Sequence, residues 1–263
     1  MNRTGQMKNY IINTAASTVE ALYRFFAFHW EVAKRLVRPP YYPKLIWEQM
    51  DRVGVDSLPI VVLTSFFTGF VLAFQIGYAL MRFGAKLYVG GIVSVSLVRE
   101  LGPVLISLVF AGRVGAGITA ELGSMQVSEQ IDAMRALATD PIRKLVMTRF
   151  LAAVIMLPIL VVVGDLIGIL GGMLVSVMNL GLTANFYRTS VVNALVFNDL
   201  ISGFIKPLIF GGMISIVACY FGLTARGGTK GVGDAVTRTV VVSSVLIFLL
   251  DAFITKVLFL MGM

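Results

Sequence analysis

Arg99 and Glu100 stand side by side in the run Leu87 to Gly112, which carries no other charge. A charge at the centre of a bilayer costs about 2.5–3.5 kcal/mol on insertion scales, so each must meet a counter-charge, water or a passing polar group. Neighbouring helical residues point about 100° apart and cannot face each other. Two chemistries satisfy them: a polar station for lipid headgroups, or an ion-pair network that fixes helix packing. Asp165, Lys206, Asp251 and Lys256, isolated in other apolar runs, are available to complete such a network. Other chemistries lack their residues. Cys219 is the single cysteine and His29 the single histidine, so no Cys/His metal cage can form. Gly227-Gly228-Thr229-Lys230-Gly231 lacks the glycine before its lysine and the hydroxyl after it that a phosphate loop requires. Nor is there a dinucleotide fingerprint, a zincin helix or a nucleophile elbow. The sequence therefore reads as a chain that is no enzyme and needs no cofactor; uphill transport would need a partner to supply energy.

These residues need elements to hold them, and composition says which. Of 263 residues, 57% are hydrophobic and 14% charged, against about 25% charged in a typical soluble domain. Ser57 to Met81, Leu87 to Gly112, Phe150 to Leu180, Leu200 to Ala225 and Thr239 to Met263 are each long enough for a crossing, which takes roughly 20 apolar residues. Backbone groups in hydrocarbon must be satisfied within the segment, so these runs are predicted to be helices. The expectation is an all-α membrane protein with five transmembrane helices. Residues 1–56 form an N-terminal cytoplasmic or interfacial segment, and residues 57–263 the transmembrane domain.

Between Ser17 and Arg38, aromatic residues alternate with charges, and Glu20/Arg24 and Glu31/Arg35 are i,i+4 pairs on one helical face. This reads as an amphipathic helix lying in the headgroup layer or packed on a neighbour, broken by Pro39, Pro40 and Pro43. With the N-terminus inside, sixteen basic residues fall on inner segments and only Arg82, Lys86 and Arg188 on outer ones. That asymmetry predicts a multi-pass protein with a cytoplasmic N-terminus and a periplasmic C-terminus. It also assigns the net charge of +8 to membrane topology, with no nucleic-acid partner.

The inner loop 113–149 is predicted to hold a short helix capped by Ser128, acidic at its start (Glu129, Asp132) and basic at its end (Arg135). Val127, Ile131 and Met134 form a stripe along it, which docks on another protein or lies on the chain's own membrane domain. Phe66, Phe67, Phe70, Phe74 and Tyr78 in the first crossing either line an acyl-chain path or form ordinary lipid-facing surface. Gly164, Gly168 and Gly172, with Gly69, Ala73 and Gly77, are small-residue stripes that let helices approach closely, within a subunit or across a dimer.

Several stretches resemble the MlaE/YrbE permease family: Ser96-Leu97-Val98-Arg99-Glu100-Leu101-Gly102-Pro103-Val104-Leu105, then Phe110 to Gly123 with Gly112-Arg113-Val114-Gly115-Ala116-Gly117, then Glu129-Gln130-Ile131-Asp132-Ala133, Asp140-Pro141, and Thr237-Arg238-Thr239-Val240-Val241. Those proteins are membrane subunits of lipid-moving ABC transporters. The resemblance implies a homodimer in the inner membrane, an ABC ATPase subunit below, an MCE-domain lipid-binding subunit on the periplasmic side, and phospholipid as cargo. It further implies that the helix around Glu129 is a coupling helix, giving ATPase-coupling roles to Glu121, Val127, Glu129, Ile131, Asp132, Met134 and Arg135. Phe70, Phe74, Tyr78, Arg99 and Glu100 are the expected substrate-path residues. The rival expectation is an ion-coupled secondary carrier or channel that uses the same intramembrane charges.

Overall fold

The computed structural model describes residue 20 and residues 23–36 and 42–262. The proline break at Pro39 and Pro40 and the basic residues Arg3, Lys8 and Arg38 lie outside them. The described residues form helices and no strands. α1 spans residues 23–36. The first crossing joins α2 (Pro43–Gly54) through a 3-10 turn to α3 (Leu58–Met81). The second is a continuous rod of α4 (Val89–Ser96), α5 (Gly102–Phe110) and α6 (Ala116–Val127), interrupted by π-helical turns at Leu97–Leu101 and Ala111–Gly115. α7 (Gln130–Ala136) turns the chain back. A π turn at Ile142–Val146 then opens the third crossing, α8 (Met147–Leu180), which α9 (Ala184–Ala194) follows. α10 (Phe197–Leu223) and α11 (Gly228–Leu260) are the fourth and fifth crossings.

The helices explain themselves by backbone demand, and their lengths correct the expected loop. Among the described residues, five helical stretches are long and apolar enough to cross a membrane, the second running 42 residues from Lys86 to Val127. At 1.5 Å per residue that rod is about 63 Å long, roughly twice the hydrocarbon thickness. The stretch expected as loop from residue 113 is therefore a helical continuation beyond the apolar run. Only Ser128, Glu129 and residues 137–140 leave the helical pattern.

Close contact between α3 and α8 organises the core, and it decides where the small-residue stripes belong. A Cβ added at Gly69 would sit 1.8 Å from the Gly168 carbonyl oxygen, and one at Gly171 2.4 Å from that of Phe66. Both stripes thus face each other inside one chain. Around that seam Val61, Leu157, Leu160, Phe210, Ile214 and Ile247 are fully or almost fully buried. α1 lays Phe25, Phe28 and Val32 on this core, with Phe25 edge-on to Tyr220, while Tyr23, Phe26 and Trp30 face outward.

Candidate functional site

A charge cluster centred on buried Lys206 joins the second, fourth and fifth crossings, and a proline helps to build it. Pro103 has no N–H to give the carbonyl four residues back, that of Arg99. Lys206, fully buried on α10, takes that carbonyl at 2.9 Å. The same ammonium meets Glu100 at 2.5 Å and Asp251 at 2.9 Å, and Thr255 donates to Glu100 at 3.3 Å. Arg99 approaches Asp199, 3.2 Å away and 2% exposed. Asp199 and Lys206 lie seven residues apart on one face of α10, so the two adjacent charges of the second crossing are both answered by one helix. Asp199 also caps α10, accepting the Val196 N–H at 3.0 Å.

Of the charges expected to complete this network, Lys206 and Asp251 do so. Asp165 and Lys256 do not: Asp165 is buried on α8 away from any described cation, and Lys256 is exposed on the outer face of α11. Asp199 was not among the expected charges, because the apolar run begins only at Leu200; its buried position beside Arg99 emerges from the helix packing.

The α7 hairpin is braced by a second set of charges. Glu121 accepts from Arg149, 3% exposed, at 2.8 Å and lies 3.8 Å from Arg52. Asp140, where the chain leaves the hairpin, is held by Arg35 of α1 at 2.8 Å and by Arg143 at 3.6 Å. Partial burial pushes the Asp140 carboxyl up. The Arg35 hydrogen bond and charge, with the Ile142 and Arg143 backbone N–H groups, outweigh burial and hold it below the usual carboxylate range.

Local chemistry at α7 differs from the expected cap. Ser128 ends α6 and donates its hydroxyl back to the Ser124 carbonyl at 2.8 Å. The residue before α7 is Glu129, at φ 58°, and Ala138 just beyond it is at φ 55°. Side chains rarely adopt this left-handed region, and such residues concentrate where surrounding structure fixes a functional turn. The stripe divides. Ile131 is fully buried against the chain itself, Met134 is half-buried, and Val127 is 39% exposed. Asp132 and Arg135 pair with each other at 2.8 Å on the exposed side, beside exposed Glu129. Leu137, 79% exposed, is the most outward apolar side chain of the hairpin; it falls one residue past α7 and outside the i, i+4, i+7 pattern, which is why spacing missed it.

Two cavities open along the second crossing and α10. One of about 780 Å³ lies between the start of the second crossing (Leu87, Tyr88, Gly91, Ile92, Val95, Ser96) and α9 (Phe186, Thr189, Ser190, Asn193, Ala194). The other, about 450 Å³, lies between α8 and the start of α10, with Val98 and Asp165 in its wall. Their sizes match those of small-ligand pockets. Arg99 and Glu100 line neither cavity, although Ser96 and Val98, just before them in the crossing, line one each. Phe70, Phe74 and Tyr78 line neither; Phe74 and Tyr78 stack at 5.8 Å on the outer face of α3, 42% and 59% exposed, and Phe70 is half-buried against Phe66.

Five long apolar helices among the described residues, carrying an internally paired charge cluster, define a multi-pass membrane protein. Residues 46–257 match the permease MlaE family, and the chain belongs to it. A probable ABC transporter permease protein of Rickettsia typhi is 46% identical over 89% of this chain and 91% of its own length. A similarly named protein of Synechocystis is 41% identical over 81% of each chain. The intermembrane phospholipid transport system permease protein MlaE of Haemophilus influenzae is 36% identical over 89% of this chain and 90% of its own.

Proposed function

We propose that this chain is the membrane subunit of an ABC transporter that moves phospholipid or a related lipid between inner and outer membranes. A separate ATPase subunit supplies the energy, and an MCE-domain subunit receives or delivers lipid on the far side. In this reading the protein works as a homodimer in the inner membrane, α7 on the cytoplasmic side and α9 on the periplasmic side. The positive-inside asymmetry supports that orientation.

The observation that carries the reading is the hairpin. α7 sits at the tip of two rods that run past the apolar spans, fixed from behind by buried Ile131 and by the Glu121 and Asp140 ion pairs. It presents Val127 and Leu137, with Glu129, Asp132, Met134 and Arg135 around them, to a partner groove. A tip held so stiffly passes displacement directly into the crossings that carry the charge cluster. Phe70, Phe74, Tyr78, Arg99 and Glu100, with the 780 Å³ cavity beside α9, are the surfaces along which lipid would pass.

The test is coexpression with the ATPase and MCE-domain partners, reconstitution, and measurement of lipid-dependent ATP hydrolysis and lipid transfer. Leu137→Asp should abolish copurification of the ATPase while the permease stays folded. ATPase binding and lipid transfer unchanged by Leu137→Asp and Val127→Asp together would refute the coupling role of this surface.

A further inference from the structure

Asp165 lies midway along α8, 7% exposed, and its Oδ1 accepts no hydrogen bond from a described residue. Gly102 makes room for it: a Cβ there would stand 1.8 Å from that oxygen. Asp165 lines the 450 Å³ cavity on one side and, on the other, a small cavity of about 20 Å³ walled also by Thr64, Ser65 and Thr68 of α3. A space of that size holds one water-sized guest.

The lining decides what kind of guest. The hydroxyls of Thr64 and Thr68 already donate to the carbonyls of Ile60 and Thr64, each at 2.7 Å, so they have only lone pairs left to offer. An ionised carboxylate also only accepts. Ser65 keeps one hydroxyl proton as well as its lone pairs, but a neutral hydroxyl does not cancel a charge. With the other oxygens restricted to accepting, the site takes a donor or a cation, and an isolated charge in this setting must be neutralised. Among the described residues, no neighbouring side chain does this. α3 contributes no charge to either lining; on the second crossing Arg99 is on Asp199 and Glu100 is on Lys206; on the fourth and fifth, Lys206 is shared with Asp251. One carboxylate with neutral oxygens suits a singly charged ion rather than a transition metal.

We propose that Asp165, Ser65, Thr64 and Thr68 form an intramembrane site for one monovalent positive charge, either a proton held on the carboxyl or a sodium ion among the four oxygens. The site stands apart from the transport reading and is tested without transport. The full-length chain in nanodiscs is unfolded thermally, with reactivity of its single thiol as the signal, in sodium chloride and in choline chloride at equal ionic strength. In parallel its carboxylic-acid infrared band is titrated with pH. A sodium site raises Tm by about 2–4 °C in sodium, and Asp165→Asn removes the rise. A proton site gives an acid band that Asp165→Asn removes, with stability lost as pH rises and the proton leaves. Ser65→Ala with Thr68→Val, which keeps the carboxyl, should weaken the sodium response or move the band's titration, and serves if Asp165→Asn does not fold. Equal Tm in both salts together with no acid band sensitive to these substitutions would overturn the proposal.

Discussion

Replacing Lys206 with methionine keeps the length and apolar stem of the side chain while removing its charge. Glu100 and Asp251, 2.5 and 2.9 Å from the ammonium in the native chain, would then confront each other, and the Arg99 carbonyl would lose its donor. Removing one partner from a fully buried charge pair costs about 3–5 kcal/mol; Glu100 and Asp251, left behind here, are 40% and 20% exposed, so about 2–3 kcal/mol is expected. For a chain of this size roughly 2–4 °C of Tm corresponds to each kcal/mol, so the expected loss is about 4–12 °C. Cys219, fully buried on α10, supplies the assay, because a thiol-reactive fluorophore reports it only as the fold opens. The triple variant Glu100→Gln, Lys206→Met, Asp251→Asn removes the uncompensated charge and should recover most of the loss, as neutralised buried clusters often do. A Lys206→Met variant that melts within about 2 °C of the native chain, or a triple variant no better than the single, would show that the cluster is hydrated and that its pairing does not hold the helices.

Ile131→Asp should lower Tm by itself, because the side chain is fully buried, whereas Leu137→Asp should leave Tm unchanged and affect only partner binding; the contrast is read by the same thiol assay. Gly69→Leu should prevent α3 from seating on α8, since even a methyl group at Gly69 would overlap the Gly168 carbonyl; yield of monodisperse protein in detergent is the measure. The Arg35 contact holds Asp140 below its unfolded value near 4, so its stabilisation is present above that value and fades as pH falls through the lower, folded value. Asp140→Asn should flatten the acid side of the stability profile and loosen α1, measured as faster proteolysis between α1 and α2; an unchanged acid limb would count against the tether.

Hydropathy determined a good deal unaided. Uninterrupted apolar runs in lipid have one backbone solution, so the five helices and their class were legible from Ser57 onward, and the position of α7 followed from its motif and its place between two runs. Other features depended on contacts between residues far apart in the chain. Whether Arg99 would meet Asp199, Asp165 or Asp251 turns on helix rotation and depth, which hydropathy does not carry. Lys206 reaching the carbonyl freed by Pro103 required α10 to lie against that turn. The glycine stripes announced close approach, but only the seating of α3 on α8 placed it within one chain. At α7 the spacing of Val127, Ile131 and Met134 described a face without saying which way it turned. Ile131 turned inward because α7 folds back on the bundle, leaving Leu137 outside. Local patterns fix what a segment is, since backbone and solvent act on it wherever it lies; its partners are set by the packing of distant segments.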